Sequence, residues 1–305
     1  MSEFRVTSFR QELKVLAVLV CFLAGLEMIA LSISNTLDDD RAHIAEFDAI
    51  VGGLGPEKRG AVLGNSLLLH GFDEEQFARE SPEFSVIKIT PVATAVLDWG
   101  HLYERYFLNS DKYPEHLFIG FVAHHVDDSE PAKLRRLSRH FVDAESLPYL
   151  WDREGFDFHQ RVQSMLAHTT SLIGDQPAHR ERVLDYFIDW YRLGLRTNQE
   201  WVTGEVEELG ERPSSYARME RFVELVKSMG VQLWLIPMPQ PDYWAIDPQL
   251  LELIEKNELG LLDARSIPGM SEEDFSDGYH LGASGAEKFT RWFAGEVSAK
   301  VTRDP

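Results

Sequence analysis

The sequence has a single cysteine, Cys21, so no disulfide can form within the chain and the fold must stand on its core. It is poor in positive charge: 30 Lys and Arg against 50 Asp and Glu leave a formal net charge of −20. That balance argues against a nucleic-acid partner, which selects faces rich in Lys and Arg. Most of the acidic excess reads as solvated surface that aids solubility. There is no internal repeat and no low-complexity tract, which excludes repeat architectures. Hydrophobic content of 44% over 305 residues is ordinary for a globular protein with one sizeable core or two small ones.

Long apolar runs are also scarce, with one exception. Residues 15–33 read V-L-A-V-L-V-C-F-L-A-G-L-E-M-I-A-L-S-I, with Glu27 the only charge. The run is continuously apolar rather than one-sided, which favours a transmembrane anchor over a buried core helix. Glu27 lies toward its C-terminal end, where a carboxylate can reach the interface. Arg5, Arg10 and Lys14 precede the run and Asp38, Asp39 and Asp40 follow it. The positive-inside rule then places residues 1–14 in the cytoplasm and the bulk of the chain outside the cell membrane, periplasmic or extracellular. No small-x-small cleavage site follows, and Cys21 comes after Val20 rather than a small residue. An uncleaved anchor is therefore expected, neither a removed signal peptide nor a lipoprotein signal.

Residues 34–58 read as a connector, with a helix from Asp38 to Phe47 broken by Gly52-Gly53-Leu54-Gly55-Pro56. Beyond it, short apolar runs alternate with helical patterns. Strands are expected at Arg59–Leu63, Phe84–Ile89, His116–Val122, Val231–Ile236 and Gly260–Asp263. Helices are expected at 71–80, 95–107, 219–229, 250–257 and 286–301. This alternation predicts an α/β fold, a parallel sheet covered by helices on both faces. Residues 131–217 lack strand alternation and read as a helical insertion, a lid or a partner surface. Trp151, Tyr186, Trp190, Tyr191 and Trp201 fall there at helical spacing, as core residues would.

Two short motifs carry the chemistry. Gly64-Asn65-Ser66-Leu67 places a serine at the end of the first strand, where the chain must turn. Asp277-Gly278-Tyr279-His280-Leu281, with Gly285 beyond, puts a carboxylate three residues before a histidine. A serine hydroxyl needs a base to become a nucleophile, and the base needs an acceptor to fix its tautomer. Ser66, His280 and Asp277 are the candidates for those roles. Backbone N–H groups at the serine turn, that of Ser66 included, can face a developing oxyanion. The blander reading is a helix cap and a polar loop. His124-His125 with Asp127 and Asp128 has the residue types of a metal site. Adjacent histidines on a strand point to opposite faces, so neither metal nor cofactor is expected. Trp234 and Trp244, around the Pro237/Pro239/Pro241 strand end, are candidates for lining a substrate cleft, with Asn65 beside the serine.

Both motifs, in order and position, resemble those of the SGNH (GDSL-like) hydrolase superfamily, over about residues 60–301 without the insertion. The resemblance implies an SGNH/flavodoxin-like three-layer fold over residues 59–305 and serine acyl-transfer chemistry. Its second block supplies an oxyanion glycine, and here the stretch is Thr90-Pro91-Val92-Ala93-Thr94-Ala95. A backbone N–H there, with Thr94 at the centre, would have to serve instead. Its third block supplies an asparagine after the third strand. Here the chain reads Val122-Ala123-His124-His125-Val126, leaving His124, or His125, as the replacement donor. With the anchor, the chain looks like the extracytoplasmic proteins of alginate O-acetylation and DltD-like proteins. That likeness implies an acylated polysaccharide or other acyl ester as substrate and a membrane-bound O-acyltransferase as partner. The alternatives are a catalytically degenerate module that binds glycan or that partner, and a lipid or small-ester hydrolase.

Overall fold

The computed structural model describes residues 3–37, 39–52, 58–108, 113–129, 132–176, 180 and 215–301. The chain divides into two compact units, Met1–Ala42 with Lys133–Glu211, and His43–Ala132 with Arg212–Pro305.

The second unit is built on a parallel sheet. Its strands are β1 (Lys58–Leu63), β2 (Ser85–Ile89), β3 (His116–Phe121), β4 (Gln232–Pro237) and β5 (Gly260–Leu261), in the order β2-β1-β3-β4-β5. Every pairing is parallel. This is the flavodoxin-like order, in which the strand sequence reverses between β1 and β3. Strands buried on both faces must be apolar throughout, and Ala61, Val62, Leu63, Leu117, Phe118 and Ile119 are all buried. On one face Val62 and Phe118 pack with Leu67, Leu68, Phe72, Phe77, Phe289 and Phe293. These come from α3 (Ser66–Gly71) and the residue that ends it, from α4 (Glu74–Glu80) and, near the C-terminus, from a long helix, Ala283–Glu296. Between β2 and β3 lies α5 (Val96–Tyr103), whose last turn continues as a wider turn, Glu104–Leu108. Helix Ala217–Ser228 packs against α5 and β4. Its Met219, Phe222, Val223 and Val226 recur at helical spacing and are buried.

The first unit begins with α1 (Glu3–Leu37). Its segment Gln11–Ile33 is long and apolar enough to cross a membrane and only 6% buried. Helix α2 (Asp39–Gly52) runs on from it into the second unit. The insertion contributes α6 (Leu134–Arg136), continued by a wider turn to Phe141, then α7 (Leu147–Arg153), α8 (Phe158–Thr169) and α9 (Ser171–Gly174). It belongs to the same unit as α1, which the sequence pattern did not signal. Asp40 accepts two bonds from Arg136, at 2.6 and 2.5 Å. Buried Asp175 faces Arg139 at 3.2 Å and Arg41 at 3.9 Å. Glu27 accepts from the backbone N–H groups of Ser171 and Leu172 at 2.6 and 3.2 Å. Trp151 is half-buried and donates to Ser164. Tyr186, Trp190, Tyr191 and Trp201 lie outside the described residues. In the second unit, helix Ala217–Ser228 is α10, Pro248–Lys256 is α11 and the long helix Ala283–Glu296 is α12.

Candidate active site

Ligands of open parallel sheets bind beyond the carboxyl ends of the strands, where the strand order reverses. Ser66 follows β1 and His125 follows β3, so both flank that reversal. Asn65 caps α3: its Oδ1 accepts from Leu67 N at 3.1 Å, which stops the strand and starts the helix within one residue. Ser66 is thereby the first helical residue. The turn sits low on the sheet because Gly64 and Gly120 leave room for Leu68. A Cβ on Gly64 would lie 2.6 Å from Leu68 Cδ1, and one on Gly120 2.5 Å from Leu68 Cγ.

His280 Nε2 lies 2.9 Å from Ser66 Oγ, and His280 Nδ1 2.8 Å from Asp277 Oδ2. The three residues named from the two motifs thus form one hydrogen-bonded line. The other Asp277 oxygen accepts from the backbone N–H groups of His280 and Tyr279, at 2.7 and 3.0 Å. Burial alone would raise the Asp277 carboxyl. The backbone bonds and the His280 imidazole outweigh it and hold the group below its ordinary value. Gly278, at φ +79°, makes the turn that lets Asp277 reach back to His280.

Asp274, which the motif reading passed over, holds this loop. It is buried and accepts from Ser271 N at 2.8 Å, Ser284 Oγ at 2.8 Å and Lys288 Nζ at 2.7 Å. Its backbone carbonyl accepts from Gly282 N at 2.7 Å, while Ser276 N donates to His280 O. The Lys288 bond chiefly draws its carboxyl down to about 2. The only sequence sign was an acid spaced for a capping box around Ser271. His70, one turn after Ser66, is a second neighbour that sequence reasoning missed. Its ring meets the His280 ring edge-on at 5.1 Å. Partial burial, then repulsion from His280 and more weakly from Lys88, holds its imidazole below the ordinary value against the pull of Asp277.

The candidate oxyanion residues are redistributed. The glycine expected after β2 is absent, yet Ala93 sits at φ +52°, the left-handed backbone a glycine would adopt. Thr94 is buried, and its side chain is spent on the loop. Its Oγ1 lies 3.0 Å from Gly64 O and 2.8 Å from Pro91 O and accepts from Trp99 Nε1. Its carbonyl accepts from Asn65 Nδ2 at 3.0 Å. Asn65 therefore ties the serine turn to the loop after β2. After β3 it is His125, not His124, that faces the serine turn. Residues 123–125 form a short 3-10 turn, so the strand alternation assumed for the histidine pair does not apply. His124 is exposed, its ring edge-on to that of His125 with centroids 4.3 Å apart. His125 receives Val122 N at its Nδ1 (3.2 Å) and has Asn65 Nδ2 against its ring, 3.2 Å from Nδ1 and 3.3 Å from Nε2. A donor at Nδ1 places the proton of the neutral ring on Nε2. Asp128 is occupied in starting α10, accepting from Ala217 N and Arg218 N at 3.0 Å.

Trp234 lies away from the serine. It is level with Phe118 in mid-sheet, and its indole covers Gly260, where a Cβ would come within 2.1 Å of the ring. Its Nε1 donates to His116, at the amino end of β3, away from Ser66. Trp244 lies at the correct end: it donates to Met238 O just beyond β4, and Arg265 stacks on its ring at 5.6 Å.

No protein-family model matches the chain, and no curated protein does. Among solved structures, the chain is similar to the lipase/acylhydrolase from Enterococcus faecalis, at 13% identity over 79% of this chain and 96% of that one, with a TM-score of 0.40. It is also similar to a catalytic mutant of Axe2, an acetylxylan esterase from Geobacillus stearothermophilus. There the identity is 10%, over 83% of this chain and 99% of that one, with a TM-score of 0.39.

Proposed function

We propose that this chain is an SGNH-type serine enzyme that cleaves or transfers acyl esters. The observation that carries the reading is the line Asp277–His280–Ser66, closed at 2.8 and 2.9 Å at the carboxyl end of a parallel sheet. Ser66 Oγ attacks the acyl carbonyl as His280 Nε2 takes its proton. Asp277 holds the imidazole in the tautomer that leaves Nε2 free to accept and stabilises the imidazolium that follows. The oxyanion is met by the Ser66 N–H, by backbone N–H at Ala93–Thr94 and by His125 Nε2–H. Collapse expels the alcohol, which takes the proton from His280 and leaves an acyl-serine. Water or a sugar hydroxyl, deprotonated by His280, then releases the acyl group.

The anchor, with the catalytic unit outside the cell, supports an envelope substrate, an acylated polysaccharide. It also suits relay of an acyl group from a membrane-bound O-acyltransferase to a glycan hydroxyl. That preference for transfer over hydrolysis rests on architecture rather than on site chemistry. The competing reading, a module that binds glycan without turnover, is favoured by the absent asparagine after β3.

Full-length protein in detergent is expected to react covalently at Ser66 with a fluorophosphonate and to release acetate from acetylated sugars. Ser66→Ala should lose both, with turnover down by roughly 10⁴-fold or more. A folded protein that neither labels nor turns over would leave the binding module. Adding an acceptor sugar and finding acetyl-sugar in place of acetate separates transfer from hydrolysis.

A further inference from the structure

Helix α8 is inside-out for a water-soluble helix. Its inward face is small and polar: Ser164 and Ala167 are buried, and His168 Nδ1 lies 2.7 Å from Ser138 O. Ser164 Oγ is 2.7 Å from Ser138 Oγ and accepts from Trp151 Nε1 at 2.9 Å. The outward face carries Phe158, half-buried Val162, Met165 and Leu166, at spacings of four, three and one that share one side of a helix, with Thr169 one turn beyond Met165 on the same side. Phe158 is 83% exposed, Met165 47% and Leu166 38%. In water this face would be a liability, since exposed apolar stripes of this kind mark a partner. Small and hydroxyl side chains at the inner contact with apolar ones outside is the arrangement of helices packed within a lipid phase.

The position of α8 identifies the partner. A single residue, Thr170, separates it from α9, and the first two N–H groups of α9 bind Glu27. Glu27 lies six positions before Ile33, the end of the apolar segment, so the contact sits about 9 Å inside that end along the helix. On this side α1 is covered, with Ala30 buried, while Val18, Phe22, Met28 and Ile29 remain exposed. The apolar surface of α1 and the outward stripe of α8 therefore belong to one unit and meet through α9.

We propose that the outward face of α8 is a second membrane contact, seated in the outer part of the same bilayer that α1 crosses. Glu27 is then the docking point that joins the insertion to the anchor, with its charge satisfied by α9 rather than by snorkelling. The inference rests on the reading of α1 as a retained anchor, and the test separates the two.

Full-length protein is reconstituted in liposomes with a nitroxide on one cysteine at a time. The native Cys21 reports the anchor. In a Cys21→Ser background, Phe158→Cys, Val162→Cys, Met165→Cys and Leu166→Cys report the stripe, and His159→Cys and Gln163→Cys the flanks. Collision with oxygen, which concentrates in lipid, is compared with collision with a water-soluble nickel chelate. The expected result is oxygen-dominated relaxation at Cys21 and at all four stripe positions, with nickel dominating at the flanks. Nickel-dominated relaxation at 158, 162 and 165 with an oxygen-dominated Cys21 overturns the proposal and leaves the anchor. Protection from both reagents along the stripe also overturns it, by indicating a protein partner. Nickel access at Cys21 overturns the anchor reading and this proposal with it. Phe158 is the most exposed of the four, so its replacement leaves the packing intact.

Discussion

At the scale of single residues, the histidine after β3 is decided by a backbone hydrogen bond. Val122 N donates to His125 Nδ1, which holds that ring against Asn65 of the serine turn, while His124 is exposed beside it. His125→Ala is expected to lower kcat by about 10²–10³ with little change in KM, the usual loss for one oxyanion donor. His124→Ala should stay close to wild type, and steady-state kinetics on an acetyl ester compares the two. Asp274 makes a different prediction. Its folded-state value is depressed, so the stability it contributes is complete above its ordinary titration range and is lost as pH falls from roughly 4 toward 2. Asp274→Asn should cost about 1–3 kcal/mol in urea denaturation at pH 7 and flatten the pH dependence in that window. The same variant should slow turnover, because the His280 loop hangs on Asp274.

Among the elements, α3 is the one whose placement matters most to the site. It is six residues long, too short to hold itself, and it is pinned by its cap and by Leu68 pressed into the gap left by two glycines. Gly120→Ala should drive a methyl into Leu68, costing about 1–3 kcal/mol and displacing Ser66 from His280. Leu68→Val in the same chain should recover part of both. A double-mutant cycle of denaturation midpoints and phosphonate labelling rates measures the coupling. The strands were legible in the chain because each is a short apolar run bounded by turn residues. Trp234 was misplaced because a strand position does not say toward which end of the sheet a side chain leans, and only Gly260 opposite explains its path.

For the whole molecule, the insertion was legible only as a helical stretch between two strands. Its attachment to α1 and to the first turn of α2 depends on pairs far apart in sequence, Glu27 of α1 with the start of α9, and Asp40 and Arg41 of α2 with Arg136 and Asp175. Asp175 is buried among Arg139, His140 and Arg41, so its loss strands cations within a packed unit. Asp175→Asn is expected to destabilise that unit by about 3–5 kcal/mol. Limited proteolysis should then cut within residues 133–176 well before the sheet unit, where Ser66 should still react with a phosphonate. Equal cleavage rates in the two units would contradict that division of stability.

What the sequence determined by itself is local. Apolar runs of strand length, a serine where a strand must turn, a carboxylate three residues from a histidine and one uninterrupted apolar helix all follow from patterns a few residues to a few turns long. Asp277 meets His280 for the same reason, across a single turn. The tertiary structure decided everything that needs distant segments to share a place. It brought His280 within 2.9 Å of a serine 214 positions away and set His125 against Asn65 at the serine turn. It put Ala93 into a backbone that glycine would favour, and it joined the insertion and α1 into one compact unit. Those outcomes depend on how side chains from different elements fill common space, which no local pattern of apolar and polar residues encodes.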